Sequence, residues 1–118
     1  MSIKRSKVGA RMSQCVVHGD TVYLAGQVAD DPNTDVAGQT KQILTKIDGL
    51  LAEAGSDKSK LLSATVWLTD IRGFDEMNKV WDAWVSPGNL PARATVGAQL
   101  ASPHYAVEVQ VTAVVAAS

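Results

Sequence analysis

The sequence is poor in the residues that build several familiar kinds of site. It has one cysteine, Cys15, in 118 residues, so no intramolecular disulfide can form. A secreted domain this small is often stapled, and a reducing cytoplasm is the simplest reading. His18 and His104 are the only histidines and lie far apart; with one Cys they do not make a zinc site. Gly26, Gly38 and Gly55 are isolated, so there is no glycine-rich phosphate loop. No apolar run approaches the ~18 residues of a membrane span. Eleven bases against twelve acids give a net charge of −1, without the basic excess of a nucleic-acid binder. Aromatics are only 5% of the chain, and half of them are Trp67, Trp81 and Trp84.

What remains is an Ala- and Val-rich chain of the size of one domain, spanning residues 1–118. Folding would bury about two-thirds of its surface, enough for a core without staples. Small side chains make that core thin, which points to a further surface to bury. Lys4, Arg5, Lys7 and Arg11 precede the first acid, Asp20. They lack the continuous apolar core of a secretory signal, and strand-like sequence starts by about Met12.

Residues 13–18 and 21–27 are rich in β-formers and flank His18-Gly19-Asp20, which reads as a hairpin turn. Residues 29–35 are a loop by composition, and Asp35 stands where a helix cap would be. Ile43, Ile47, Leu50, Leu51 and Ala54 share one face of a helix over 36–54, stopped by Gly55. Residues 61–69 alternate as a strand, with Leu62, Ala64, Val66 and Leu68 on one face. Phe74, Met77, Trp81, Trp84 and Val85 recur at helical spacing over 74–85, and strands follow over about 92–100 and 106–115. The order is β-β-α-β-α-β-β, an α+β fold with two helices on one face of a mixed sheet.

Few residues interrupt these patterns. Cys15 sits in an apolar strand and reads as a small buried hydrophobe. Arg93 enters a strand of small and apolar residues, where a guanidinium needs an anion or several acceptors. Glu108 interrupts the Val-rich last strand. If those two strands were neighbours, an Arg93–Glu108 ion pair would account for both charges structurally; ligand binding is the other reading. Asn78 lies at the edge of the second helix's apolar face, and Gly26-Gln27 ends the second strand, a place for a bulge or a close backbone approach. Trp81 and Trp84 read as core or interface.

Taken in order, Val22-Tyr23-Leu24-Ala25-Gly26-Gln27, Gly38-Gln39-Thr40, Ala54-Gly55-Ser56 and Thr65-Val66-Trp67-Leu68-Thr69-Asp70 resemble the Rid (YjgF) family. Phe74 with Asn78, Pro91-Ala92-Arg93-Ala94-Thr95-Val96 and Val107-Glu108-Val109 extend the match over nearly the whole chain. The stretch 77–85, with Pro103-His104-Tyr105, is closer to the family's YoaB-like branch than to its RidA-type members.

The resemblance implies a chorismate-mutase-like fold and a homotrimer with ligand clefts between subunits. It also implies a cofactor-independent hydrolase, or deaminase, converting enamine and imine acids such as 2-aminoacrylate and 2-iminopropanoate to 2-oxo acids and ammonia. The family's carboxylate-binding arginine falls on Arg93 and its water-associated acid on Glu108. Gly26 and Asn78 match cleft positions. Thr95 stands where RidA-type members have Cys, and Met12 where they have Tyr. The runner-up reading is that the same cleft senses a small carboxylate without turnover; the RNA-acting role given to some members fits the charge balance poorly. Arg93, joined by the N-terminal bases, would make the cleft locally positive.

Overall fold

A computed structural model describes residues 2–116. Its strands are β1 (Ile3–Val8), β2 (Ser13–His18), β3 (Thr21–Leu24), β4 (Leu61–Leu68), β5 (Ala92–Gly97) and β6 (Val107–Val114). Helix α1 spans Val36–Glu53 and α2 spans Phe74–Trp84. They form one six-stranded mixed sheet in the order β1-β2-β3-β6-β4-β5, with only the β4–β5 pair parallel. The α+β architecture with two helices on one sheet face is therefore present, with one more strand than the sequence pattern indicated.

That added strand is β1. Its sequence, Ile-Lys-Arg-Ser-Lys-Val, is exposed throughout and carries no apolar alternation. It lies at the sheet edge, where lysine and arginine discourage pairing with another chain. Its bases are consequently at the opposite edge from Arg93 on β5, so within one chain they do not join it.

Local chemistry explains the other boundaries. The Asp35 carboxylate accepts a hydrogen bond from the Gly38 amide at 2.8 Å and caps α1. Gly55, at φ +78°, ends that helix in the left-handed conformation that glycine adopts without strain. β4 departs from simple alternation at a bulge between Leu61 and Ser63, so Leu61 is buried and Leu62 is 48% exposed. Strands β3 and β5 are shorter than the strands 21–27 and 92–100 read from the sequence, ending at Leu24 and Gly97.

The core lies between sheet and helices. Ile43, Ile47 and Leu51 of α1 and Met77 and Trp81 of α2 pack over Val22, Leu24, Ala64, Val66, Leu68 and the buried alternate residues of β6. Cys15 is buried among them, and burial pushes its thiol pKa up, as befits a small hydrophobe rather than a reactive thiol. Among the described residues, no helix covers the other sheet face. Tyr23, Leu62 and Val96 remain exposed, with Trp67 half-buried. No helix among the described residues is long and apolar enough to cross a membrane.

Candidate functional site

The sheet order decides how Arg93 and Glu108 relate. β5 and β6 are not neighbours, because β4 runs between them. Arg93 pairs with Ala64 of β4, and Glu108 pairs with Trp67. Those two β4 positions are three residues apart, and side chains alternate along a strand. Arg93 thus points to the helix-covered face with buried Ala64, while Glu108 points to the open face with Trp67. The structural ion pair that the sequence left open does not form.

Arg93 is half-buried at the outer edge of the sheet, beneath α2. Its Cζ lies 5.1 Å from the centroid of the Trp81 indole and 5.8 Å from that of the Phe74 ring. Among the described residues its guanidinium has no acid within salt-bridge distance and no hydrogen-bond acceptor. Arg72 is the contrast. Its Nε and Nη2 grip the Asp70 carboxylate at 3.0 and 2.7 Å, and that pairing holds the Asp70 pKa down at about 2. The donor fork of Arg72 is filled within the chain; the fork of Arg93 is not.

Among the described residues, two polar groups beside Arg93 are also unsatisfied. Thr95, two residues along β5, faces the same side, and its buried Oγ1 has no hydrogen-bond partner. Asn78 lies between Phe74 and Trp81 on the same stripe of α2, and its buried Oδ1 is unpartnered. Buried polar atoms are normally paired, so orphans beside a cation make this a candidate place for a polar ligand. The sequence indicated Arg93, Thr95 and Asn78. It missed Phe74 and Trp81 as neighbours of Arg93, although their spacing of two helical turns puts them on one face.

Glu108 occupies a different corner. It is half-buried on β6, and loss of solvent pushes its carboxyl pKa above the ordinary glutamate range. Gly26 sits against it: a Cβ built on Gly26 would overlap Glu108 Oε2. The Gly26 backbone is not in the left-handed region, so the missing side chain supplies room rather than conformational freedom. The chain there is pinned on both sides. Ala25 N–H donates to Gln14 O at 2.9 Å, and Gln27 exchanges backbone hydrogen bonds with Val109 at 2.8 and 3.1 Å. The Gln27 amide donates to Gln14 Oε1 at 2.8 Å. Gly26 and Glu108 thus form one unit, and Arg93, Thr95 and Asn78 another, on opposite sheet faces. Met12, in the connection between β1 and β2, is 55% exposed.

Three comparisons bear on this arrangement. The sequence model of the family described as Endoribonuclease L-PSP matches residues 3–115. The RutC family protein YoaB of Escherichia coli is 44% identical over 115 residues, which are 98% of this chain and 100% of that protein. More distantly, the 2-iminobutanoate/2-iminopropanoate deaminase of Rattus norvegicus is 32% identical over 108 residues, covering 86% of this chain and 78% of that one. Among solved structures, NMB1025 of Neisseria meningitidis, a member of the YjgF protein family, superposes with a TM-score of 0.98 at 42% identity, covering 100% of this chain and 98% of that chain.

Proposed function

The chain belongs to the Rid/YjgF family, in its YoaB-like branch, and from that premise we propose that it hydrolyses 2-imino and enamine acids to 2-oxo acids and ammonia. The observation that carries this reading is the half-buried Arg93 with an unfilled donor fork beside two orphaned polar atoms. A guanidinium binds a carboxylate through two parallel hydrogen bonds and so orients a planar substrate. The 2-iminobutanoate/2-iminopropanoate deaminase named above acts, by its name, on substrates of that class.

The chemistry needs few groups. A protonated imine is already electrophilic at C2. Glu108 accepts a proton from water as the oxygen bonds to C2. The resulting carbinolamine transfers a proton to nitrogen and expels ammonia, leaving the 2-oxo acid. Burial raises the proton affinity of Glu108, making its ionised form a stronger base. Gly26 leaves the space that its carboxylate occupies.

Two features support a site shared between copies of the chain, in a homotrimer with clefts between subunits. Arg93 and Glu108 face opposite sides of the sheet, so two chains bring them together more directly than one does. The chain is also a thin slab, 42 × 38 × 20 Å, with an accessible surface of 6759 Å². A compact monomer of this mass would expose roughly 6,200 Å². The uncovered sheet face with Tyr23, Leu62 and Val96 is the surface for such an assembly.

The test generates 2-iminobutanoate in situ and follows its loss by semicarbazide trapping. Faster hydrolysis by the wild-type protein, lost in Arg93→Ala, supports the reading. Wild-type hydrolysis no faster than that of Arg93→Ala rejects it. Saturable 2-oxo acid binding without turnover would assign the same pocket to sensing.

A further inference from the structure

We propose that Trp81 and Phe74 are positioning residues that set the carboxylate affinity of Arg93 by holding its guanidinium against their rings. The inference rests on the carboxylate-binding reading of Arg93 above and assigns a role to two residues outside it.

The argument starts from what can order an arginine. A neighbouring acid does so by filling the donor fork, as Asp70 does for Arg72. An arginine ordered that way has little left for a ligand. An aromatic face attracts the cation through its quadrupole while leaving the edge-directed N–H groups free. Arg93 has two such faces and, among the described residues, no acid, with Cζ at 5.1 Å from Trp81 and 5.8 Å from Phe74. Both distances fall within the range of about 6 Å over which a ring holds a cation. The arrangement therefore limits the rotamers of a long side chain without consuming its hydrogen-bonding capacity. A group ordered in advance loses less freedom when it grips a ligand.

The rings are themselves fixed. Trp81 is only 6% exposed and packs in the core. It meets Trp84 with ring centroids 5.5 Å apart. The Trp84 indole N–H in turn donates to the Asp48 carboxylate on α1 at 3.0–3.1 Å. Phe74 opens α2 on the same stripe, 39% exposed. A rigid indole and a more accessible phenyl ring together set where the guanidinium lies.

The experiment measures 2-oxobutanoate binding by calorimetry and 2-iminobutanoate turnover for the wild type, Trp81→Phe, Trp81→Met and Phe74→Leu. The expected result is a rise in Kd and KM of about threefold for Trp81→Phe and Phe74→Leu and about tenfold for Trp81→Met. On this account kcat stays within about twofold, because ground-state and transition-state binding are lost together. Wild-type affinity in all three variants overturns the inference, as does a fall in kcat with KM unmoved. Should Trp81→Met fail to fold, Phe74→Leu at its half-exposed position decides the matter. A wild-type protein that binds without turnover leaves the Kd series to decide. One that neither binds nor turns over overturns the carboxylate site itself, and this inference with it.

Discussion

Arg93 and Glu108 interrupt the last two strands in similar ways, yet their surroundings differ. Arg93 lies on the helix-covered side against two aromatic rings, with unpartnered Thr95 and Asn78 oxygens nearby. Glu108 lies on the open side against the backbone of Gly26, where burial raises its pKa. Neither has an ionic partner among the described residues. A fold that needed only an ion pair would have joined them. Two half-buried charges kept apart suit the proposed division of labour, with Arg93 for a carboxylate and Glu108 for the water that attacks beside it.

The sharpest way to break that division is to remove Arg93. Arg93→Ala should lower kcat/KM by about 10³-fold, with most of the loss in KM, because two charge-assisted hydrogen bonds to the substrate vanish. Arg93→Lys keeps the charge but loses the fork, so it should recover only part of that affinity. An Arg93→Ala variant with wild-type 2-oxobutanoate affinity would remove the carboxylate half of the account. Glu108→Gln probes the other half. It should reduce kcat by about 10²-fold or more while changing 2-oxobutanoate affinity less than about threefold. A loss of binding alone would make Glu108 a ligand contact rather than a base.

Gly26→Ala separates room from chemistry. Glu108 can swing away from the new methyl group, so the fold should survive with a nearly unchanged melting temperature, while kcat falls about tenfold through the displaced carboxylate. Unchanged kcat would mean that the position of Glu108 does not matter. The smallest effect is on stability. Because the pKa of Glu108 is raised on folding, ionising it costs stability as pH climbs above the ordinary glutamate value of about 4.3. Glu108→Gln should therefore raise the melting temperature slightly at pH 7, a gain that disappears near pH 3, where Glu108 is protonated in both states. A gain that persists at pH 3 would point to packing instead.

The residues differed in how openly they declared themselves. Helix α1 was legible because its cap, its apolar stripe and its glycine stop agree. Strand β6 was legible because Val107, Val109, Val111 and Ala113 alternate over one buried face. Strand β1 was hidden because an edge strand of lysine and arginine buries nothing and leaves no period to read. The bulge that exposes Leu62 was hidden because apolar alternation runs straight through it. Above all, nothing local tells a chain that its last strand inserts between β3 and β4. That insertion, a long-range pairing, keeps Arg93 and Glu108 on non-adjacent strands, and their register against β4 turns them to opposite faces. Arg93, Glu108, Gly26 and Asn78 were visible as candidates because each interrupts or ends a pattern, and Thr95 only through the family resemblance; Phe74 and Trp81 were not, because aromatic residues on a helix's apolar face look like core and, in the case of Trp81, are core as well.

The central claim is that one working site takes Arg93 from one chain and Glu108 from another. Complementation tests it most directly. Arg93→Ala and Glu108→Gln proteins, each nearly inactive alone, would be denatured, mixed in equal amounts and refolded together. Random assembly puts an intact Arg93 opposite an intact Glu108 at roughly a quarter of the interfaces of a symmetric oligomer, so about a quarter of wild-type turnover should return. Mixed assemblies no more active than the separate variants, under conditions in which co-refolded wild type regains full turnover, would contradict the shared site.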